Sequence, residues 1–138
     1  MLAYIPNFSA TTDIETKQAP SILVVDDDHN VGRMVQTVLL ALAQDIVVVE
    51  SGQDAIDTCR NRSFDLIITD LRMSGMNGFQ LLRRVARDYS AMKRILVSGN
   101  PGLEQTMKSI DSEAVHRYLA KPWTHQKLLN AVTELWFS

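Results

Sequence analysis

The sequence predicts an α/β domain: a parallel sheet covered by helices on both faces. Short apolar runs alternate with stretches striped at helical spacing, five times in succession. The runs are continuous rather than alternating, as strands buried on both faces read. The length, 138 residues, fits one domain of ordinary size that buries roughly two thirds of its unfolded surface.

Residues 1–20 precede this pattern. Thr11, Thr12, Asp13, Glu15, Thr16, Lys17 and Gln18 form a polar stretch closed by Ala19-Pro20. It reads as a flexible tail, with Tyr4, Ile5 and Phe8 available to pack on the domain or a neighbour. The first strand is Ile22-Leu23-Val24-Val25, and Val31, Met34, Val35, Val38, Leu39 and Leu42 follow as a helical stripe. Ile46–Val49 is a second β-branched run. Ser51-Gly52-Gln53-Asp54 opens a helix with Ala55, Ile56 and Cys59 facing inward. Leu66-Ile67-Ile68-Thr69 is the third strand and ends at Asp70. A loop punctuated by Gly75 and Gly78 leads to Phe79, Leu82, Val85 and Ala86 at helical spacing. Ile95-Leu96-Val97 is the fourth strand, followed by Ser98-Gly99-Asn100-Pro101-Gly102 and a helix marked by Leu103, Met107 and Ile110. Tyr118-Leu119-Ala120 is the fifth, and Leu128, Leu129, Val132, Leu135 and Trp136 stripe the last helix. One domain over residues 21–138 is expected, in three layers.

Composition narrows the function. Apolar residues make up 46% and charged residues 22%, ordinary for a folded protein. Fourteen Lys and Arg against sixteen Asp and Glu leave a net charge of −2, so no basic footprint points to nucleic acid or an anionic membrane. Cys59 is the single cysteine, which excludes an internal disulfide and a cysteine-built zinc cage. No apolar run reaches the ~18 residues of a membrane span, and no basic segment introduces a signal peptide. The expectation is a soluble, cytoplasmic chain.

In open parallel sheets the functional crevice lies beyond the carboxyl ends of the strands. There the first strand ends in Asp26-Asp27-Asp28, the third in Asp70, the fourth in Ser98 and the fifth in Lys121-Pro122. Taken singly, each is ordinary turn or surface chemistry. Together they make a constellation. Converging carboxylates repel, which raises a pKa or recruits a cation. Hard oxygen donors in small number suit Mg²⁺, which keeps several waters and takes one or two carboxylates with phosphate oxygens. A lysine and a hydroxyl opposite would meet the remaining charge of a phosphoryl group.

These residues resemble the receiver domain of bacterial two-component response regulators, the CheY-like family. The resemblance runs in unbroken order through Ile22–Asp28, Asp65–Met73, Met76-Asn77-Gly78, Leu96–Gly99 and Tyr118–Pro122. It implies a flavodoxin-like, doubly wound five-stranded parallel sheet in order 2-1-3-4-5. It also implies that Asp70 is the phosphoacceptor, served by a sensor histidine kinase or phosphotransfer protein. Asp27 would ligate Mg²⁺ directly and share it with Asp70, Asp26 would act largely through water, and Arg72 through its backbone carbonyl, with Asp28 outside the set. Lys121 would contact the acyl phosphate, Ser98 would turn its hydroxyl toward it, and Tyr118 would be the aromatic switch. The Lys121-Pro122 bond is often cis in the family. The readout would be an output domain or docking protein, and a homodimer through the helix after the fourth strand and the last helix is allowed. Such a domain promotes phosphorylation and hydrolysis of its own Asp70 and is not a turnover enzyme.

Departures from the pattern carry expectations of their own. Ser74-Gly75 stands where receivers commonly carry proline, so that loop is expected to be more mobile. Arg72 and Asn100 occupy positions that tune autodephosphorylation in the family. Trp123 resembles receivers joined to cyclic-dinucleotide phosphodiesterase or ATPase outputs, its plainer reading being an aromatic cover over the last helix. His29, His116 and His125 show no metal-pair spacing, and Met34, Met92 and Met107 read as packing residues.

Three other functions compete. One is a pseudo-receiver that uses the fold only to bind proteins. Another is a phosphatase of the haloacid dehalogenase type, whose nucleophile should end the first strand as Asp-x-Asp. A nucleotide- or flavin-binding domain would need a glycine-rich phosphate loop after the first strand, where three aspartates stand. The sequence ends at Ser138, just past the last helix, which fits either a receiver that works alone or a piece of a longer regulator.

Overall fold

The computed structural model describes residues 18–99 and 113–137, together with Gly102, Gln105, Thr106 and Ser109. Residues 1–17 of the expected tail lie outside the described residues, as do Asn100, Leu103, Met107 and Ile110. The chain runs β1 (Ser21–Val25), α1 (His29–Leu39), β2 (Asp45–Val49), α2 (Gly52–Asn61), β3 (Leu66–Asp70), α3 (Gly78–Asp88), β4 (Lys93–Ser98), β5 (Arg117–Ala120) and α4 (His125–Trp136). Between β4 and β5, Gly102, Gln105, Thr106 and Ser109 are helical. The five strands are all parallel, in order β2-β1-β3-β4-β5.

Each described helix starts on a side chain that accepts otherwise orphaned amide protons. Asp28 caps α1 through Asn30 and Val31, Ser51 caps α2 through Asp54, and Thr124 caps α4 through Lys127. Asn77 and Gln80 form a reciprocal capping box at α3. The Asp28 and Asn77 caps were not among the sequence expectations. Asp28, set outside the metal-binding group above, has this role instead.

Alternate residues of the central strands fill two separate cores, as strands covered on both faces must. Leu23, Val25, Ile67 and Leu96 pack beneath α2 and α3 with Ala55, Phe79, Leu82 and Val85. Ile22, Val24, Ile68, Ile95 and Val97 pack beneath α1 and α4 with Val35, Leu39, Leu128 and Val132. The apolar run of β2 lies at the sheet edge and is only half-buried. One expectation fails at Met34, which is 46% exposed and lines a cleft rather than the core. Helical spacing alone placed it one step inside the stripe's true margin. Met92 is buried.

The opposite ends of the strands are tied by polar groups. Asp65 Oδ2 accepts the Ser21 amide at 2.9 Å, and the carbonyl of buried Pro20 accepts from Gln44 at 2.8 Å. At the other terminus the Trp136 indole donates to the Gln18 carbonyl at 2.7 Å.

Candidate functional site

Strand order decides which residues meet. β1, β3, β4 and β5 are consecutive neighbours, in a register that pairs Val25 with Thr69, Asp70 with Val97 and Ser98 with Ala120. Asp26, Asp70, Ser98 and Lys121 therefore emerge along one edge of the sheet. Backbone bonds hold this edge: Asp26 donates to the Val49 carbonyl, Leu71 to Val97 and Lys121 to Ser98, the last at 2.8 Å.

Asp26, Asp27 and Asp70 each place a carboxylate oxygen within 4.8 Å of the others. Asp26 and Asp70 are buried and Asp27 is exposed. Burial is the largest influence on Asp26 and lifts its carboxyl above the ordinary value; Asp70 and Asp27 push the same way. The Asp28 amide, which donates to Asp26 Oδ1 at 2.9 Å, and Lys121 oppose the rise. The Lys121 ammonium lies 2.7 Å from Asp70 Oδ1, the one cation in the cluster among the described residues. The peptide bond between Lys121 and Pro122 is cis, as the resemblance anticipates. Hard oxygens held this close, one exposed, fit a small hydrated divalent cation.

The loop from β3 to α3 forms one wall. Asp27, Leu71, Arg72, Met73, Ser74, Gly75 and Asn77 enclose an open cleft of about 700 Å³. Arg72 is exposed there, and Gly75 adopts a φ of +75°, a conformation that favours glycine. Gly78 closes the loop. A Cβ at that position would come 2.1 Å from the Asp70 carbonyl oxygen, so only glycine lets α3 start against the end of β3. Ser98 and Tyr118 are half-buried, and Tyr118 packs against the core under α2 and α3. On the other side Val31, Met34, Gly99, Lys121, Pro122, Trp123 and His125 line a mainly apolar cleft of about 500 Å³. The carboxylates, Lys121 and Ser98 thus share one edge, while Tyr118, within β5, packs against the core beneath α2 and α3.

The three histidines are scattered, and His125 alone shares a cleft with Lys121. His29 meets Glu50 at 3.1 Å, His116 contacts Arg94, and His125 is exposed. Cys59 is buried beneath α2, and burial raises its thiol pKa. No described helix is long and apolar enough to cross a membrane.

Comparisons with known proteins agree with this layout. The family model described as the response regulator receiver domain matches residues 22–133. The response regulator protein FleR of Pseudomonas aeruginosa is 28% identical over 114 residues, 83% of this chain and 24% of its own length. The two-component response regulator ARR14 of Arabidopsis thaliana is 33% identical over 111 residues, 79% of this chain and 29% of its own. The chain thus spans under a third of the length of these relatives. Among solved structures, the signal receiver domain of an HD domain-containing protein from Pseudomonas fluorescens superposes with a TM-score of 0.76 at 32% identity, covering 84% of this chain and 85% of that one. The response regulator TrrA of Thermotoga maritima, solved with Mg²⁺ and a beryllium fluoride group, gives 0.75 at 25% identity, with 83% and 97% covered. The strand order, the acidic edge of the sheet and the span of the family match place this chain in the response regulator receiver domain family.

Proposed function

We propose that Asp70 accepts a phosphoryl group from a sensor histidine kinase or phosphotransfer protein and that the modified domain then controls an output domain or docking protein. The observation that carries this reading is the Lys121 ammonium 2.7 Å from an Asp70 oxygen inside a group of three carboxylates. A nucleophilic carboxylate needs a cation for the charge it gains, and the Lys121 ammonium supplies one beside Asp70.

An Asp70 oxygen forms the new bond to phosphorus as the donor's P–N bond breaks, and the imidazole leaves with the electron pair. Lys121 stays beside the acyl phosphate and balances its charge. Asp26, Asp27 and Asp70, with the Arg72 carbonyl, would hold Mg²⁺, whose charge would offset the repulsion between the carboxylates and the phosphoryl oxygens. Ser98, bonded through its carbonyl to the Lys121 amide, would turn its hydroxyl toward a group on Asp70, and Tyr118 would follow inward as the switch. We take the receiver unit to begin near Ser21, to act once per phosphorylation rather than as a turnover enzyme, and to work in the cytoplasm.

Intact-mass spectrometry after incubation with Mg²⁺ and a small acyl-phosphate donor tests the reading. One phosphoryl mass should appear in the native chain, and neither in Asp70→Asn nor without metal. A folded native chain that gains no mass would overturn phosphoacceptance and leave an interaction module.

A further inference from the structure

Away from the acidic edge, the amino end of β4 holds a buried arginine. The Arg94 guanidinium donates to the carbonyls of Ser90, Met92, Glu113 and Ala114, at 3.2, 2.9, 3.1 and 2.9 Å. A charge in the interior is tolerable where carbonyl dipoles meet its donors. These bonds fasten the segment entering β5 to the segment entering β4. The backbone of Arg94 is also matched to His116: its amide donates to His116 Nδ1 at 3.0 Å, and its carbonyl accepts from the His116 amide at 2.9 Å. With Nδ1 accepting, the neutral ring carries its hydrogen on Nε2.

We propose that Arg94 and His116 form an acid-opened latch where the connection between β4 and β5 ends: a proton taken up at His116 Nδ1 removes the acceptor for the Arg94 amide and takes that one bond from the clamp. The surroundings disfavour the proton while the latch is closed. His116 is exposed on one side, and the partial desolvation of its ring against the chain, then the charges of Arg94 and Lys93 on β4, hold it below the ordinary histidine value. Arg117 on β5 is engaged by Glu134 of α4, and the Glu113 carbonyl is held by Arg94. Opening therefore draws a proton in, and acid favours the open form.

The connection starts at Ser98 and ends two residues before Tyr118, the pair assigned above to switching. A connection held by one bond fewer costs less to move, so acid would ease the switch. That consequence rests on the proposed function; the latch does not, because it is read in the unphosphorylated chain.

The test is hydrogen exchange at the Arg94 amide, corrected for intrinsic rate, between pH 7.5 and 5.5, in the native chain and in His116→Gln. Glutamine keeps an acceptor but does not titrate. In the native chain, opening should rise by up to about tenfold per pH unit between the ordinary value near 6.5 and the lower folded value. In His116→Gln it should be flat. Nitrogen shifts of the His116 ring should report the Nε2–H tautomer above that window. A flat native profile, an equal slope in His116→Gln, or the Nδ1–H tautomer would overturn the proposal.

Discussion

At the carboxyl ends of the strands, Asp26, Asp27 and Asp70 crowd together with Lys121 as the one nearby cation among the described residues. At the amino ends, charges meet complementary partners: Arg94 is ringed by four carbonyls, Asp65 accepts the Ser21 amide, and Asp45 pairs with both terminal nitrogens of Arg62 at 2.8 and 3.3 Å. One sheet thus has an end where charge is absorbed into the architecture and an end where repulsion is held in place by the strands behind it. The first kind of charge stabilises the fold. The second costs stability, as strained polar clusters at functional sites do.

The contrast is tested most severely at Arg94. Arg94→Met fills similar space but strands four carbonyls, those of Met92 and Ala114 in buried bonds, and should remove about 3–5 kcal/mol in chemical denaturation, as broken buried polar sites do. A loss below about 1 kcal/mol, the scale of one ordinary hydrogen bond, would show that the guanidinium is not holding the two loops.

Asp26→Asn should act in the other direction. The amide oxygen still accepts from Asp28 while the charge goes, so stability at pH 7 should rise by about 0.5–2 kcal/mol. The pH dependence fixes the cause. Because the folded pKa of Asp26 is raised above 3.8, the folded chain binds more protons than the unfolded one between 3.8 and that higher value. Native stability at this group therefore increases as pH falls through that window, and the gain from Asp26→Asn should shrink with it. An unchanged or lower midpoint at pH 7 would mean that the acidic edge is not under strain.

The smallest effect belongs to the exposed pair. Arg62→Ala should lose about 0.2–1 kcal/mol, less at high salt, together with the stacking of Arg62 over Phe64 at 4.2 Å. Parity with the Arg94 variant would erase the distinction between buried and exposed charge at this end.

The acidic end was readable from the sequence because its residues close apolar runs. Asp26, Asp70, Ser98 and Lys121 mark where strands stop, and a parallel sheet collects such stops on one edge. Strand order itself came with the family resemblance, since periodicity counts units without ordering them. The amino end was hidden for the same physical reason. Arg94 sits within the basic pair that precedes Ile95-Leu96-Val97 and reads as a polar strand entry, because its acceptors are backbone carbonyls that carry no sequence signal. His116 gave no clue either, as its partner is an amide 22 positions away. Met34 erred in the opposite sense, since helical spacing marks a stripe but not its edge.

The contact at Gly78 has a consequence for how this domain could diverge. Its amide donates to the Leu71 carbonyl at 2.8 Å, and its missing side chain lets that bond form directly against Asp70. The loop between them is pinched shut at its neck, with Arg72, Ser74 and Gly75 in the part beyond. Residues there can be exchanged, lengthened or recharged while the position of Asp70 stays set by the neck and the strand. Access to the Asp70 carboxylate and its placement are thereby separate inheritances, free to vary one without the other.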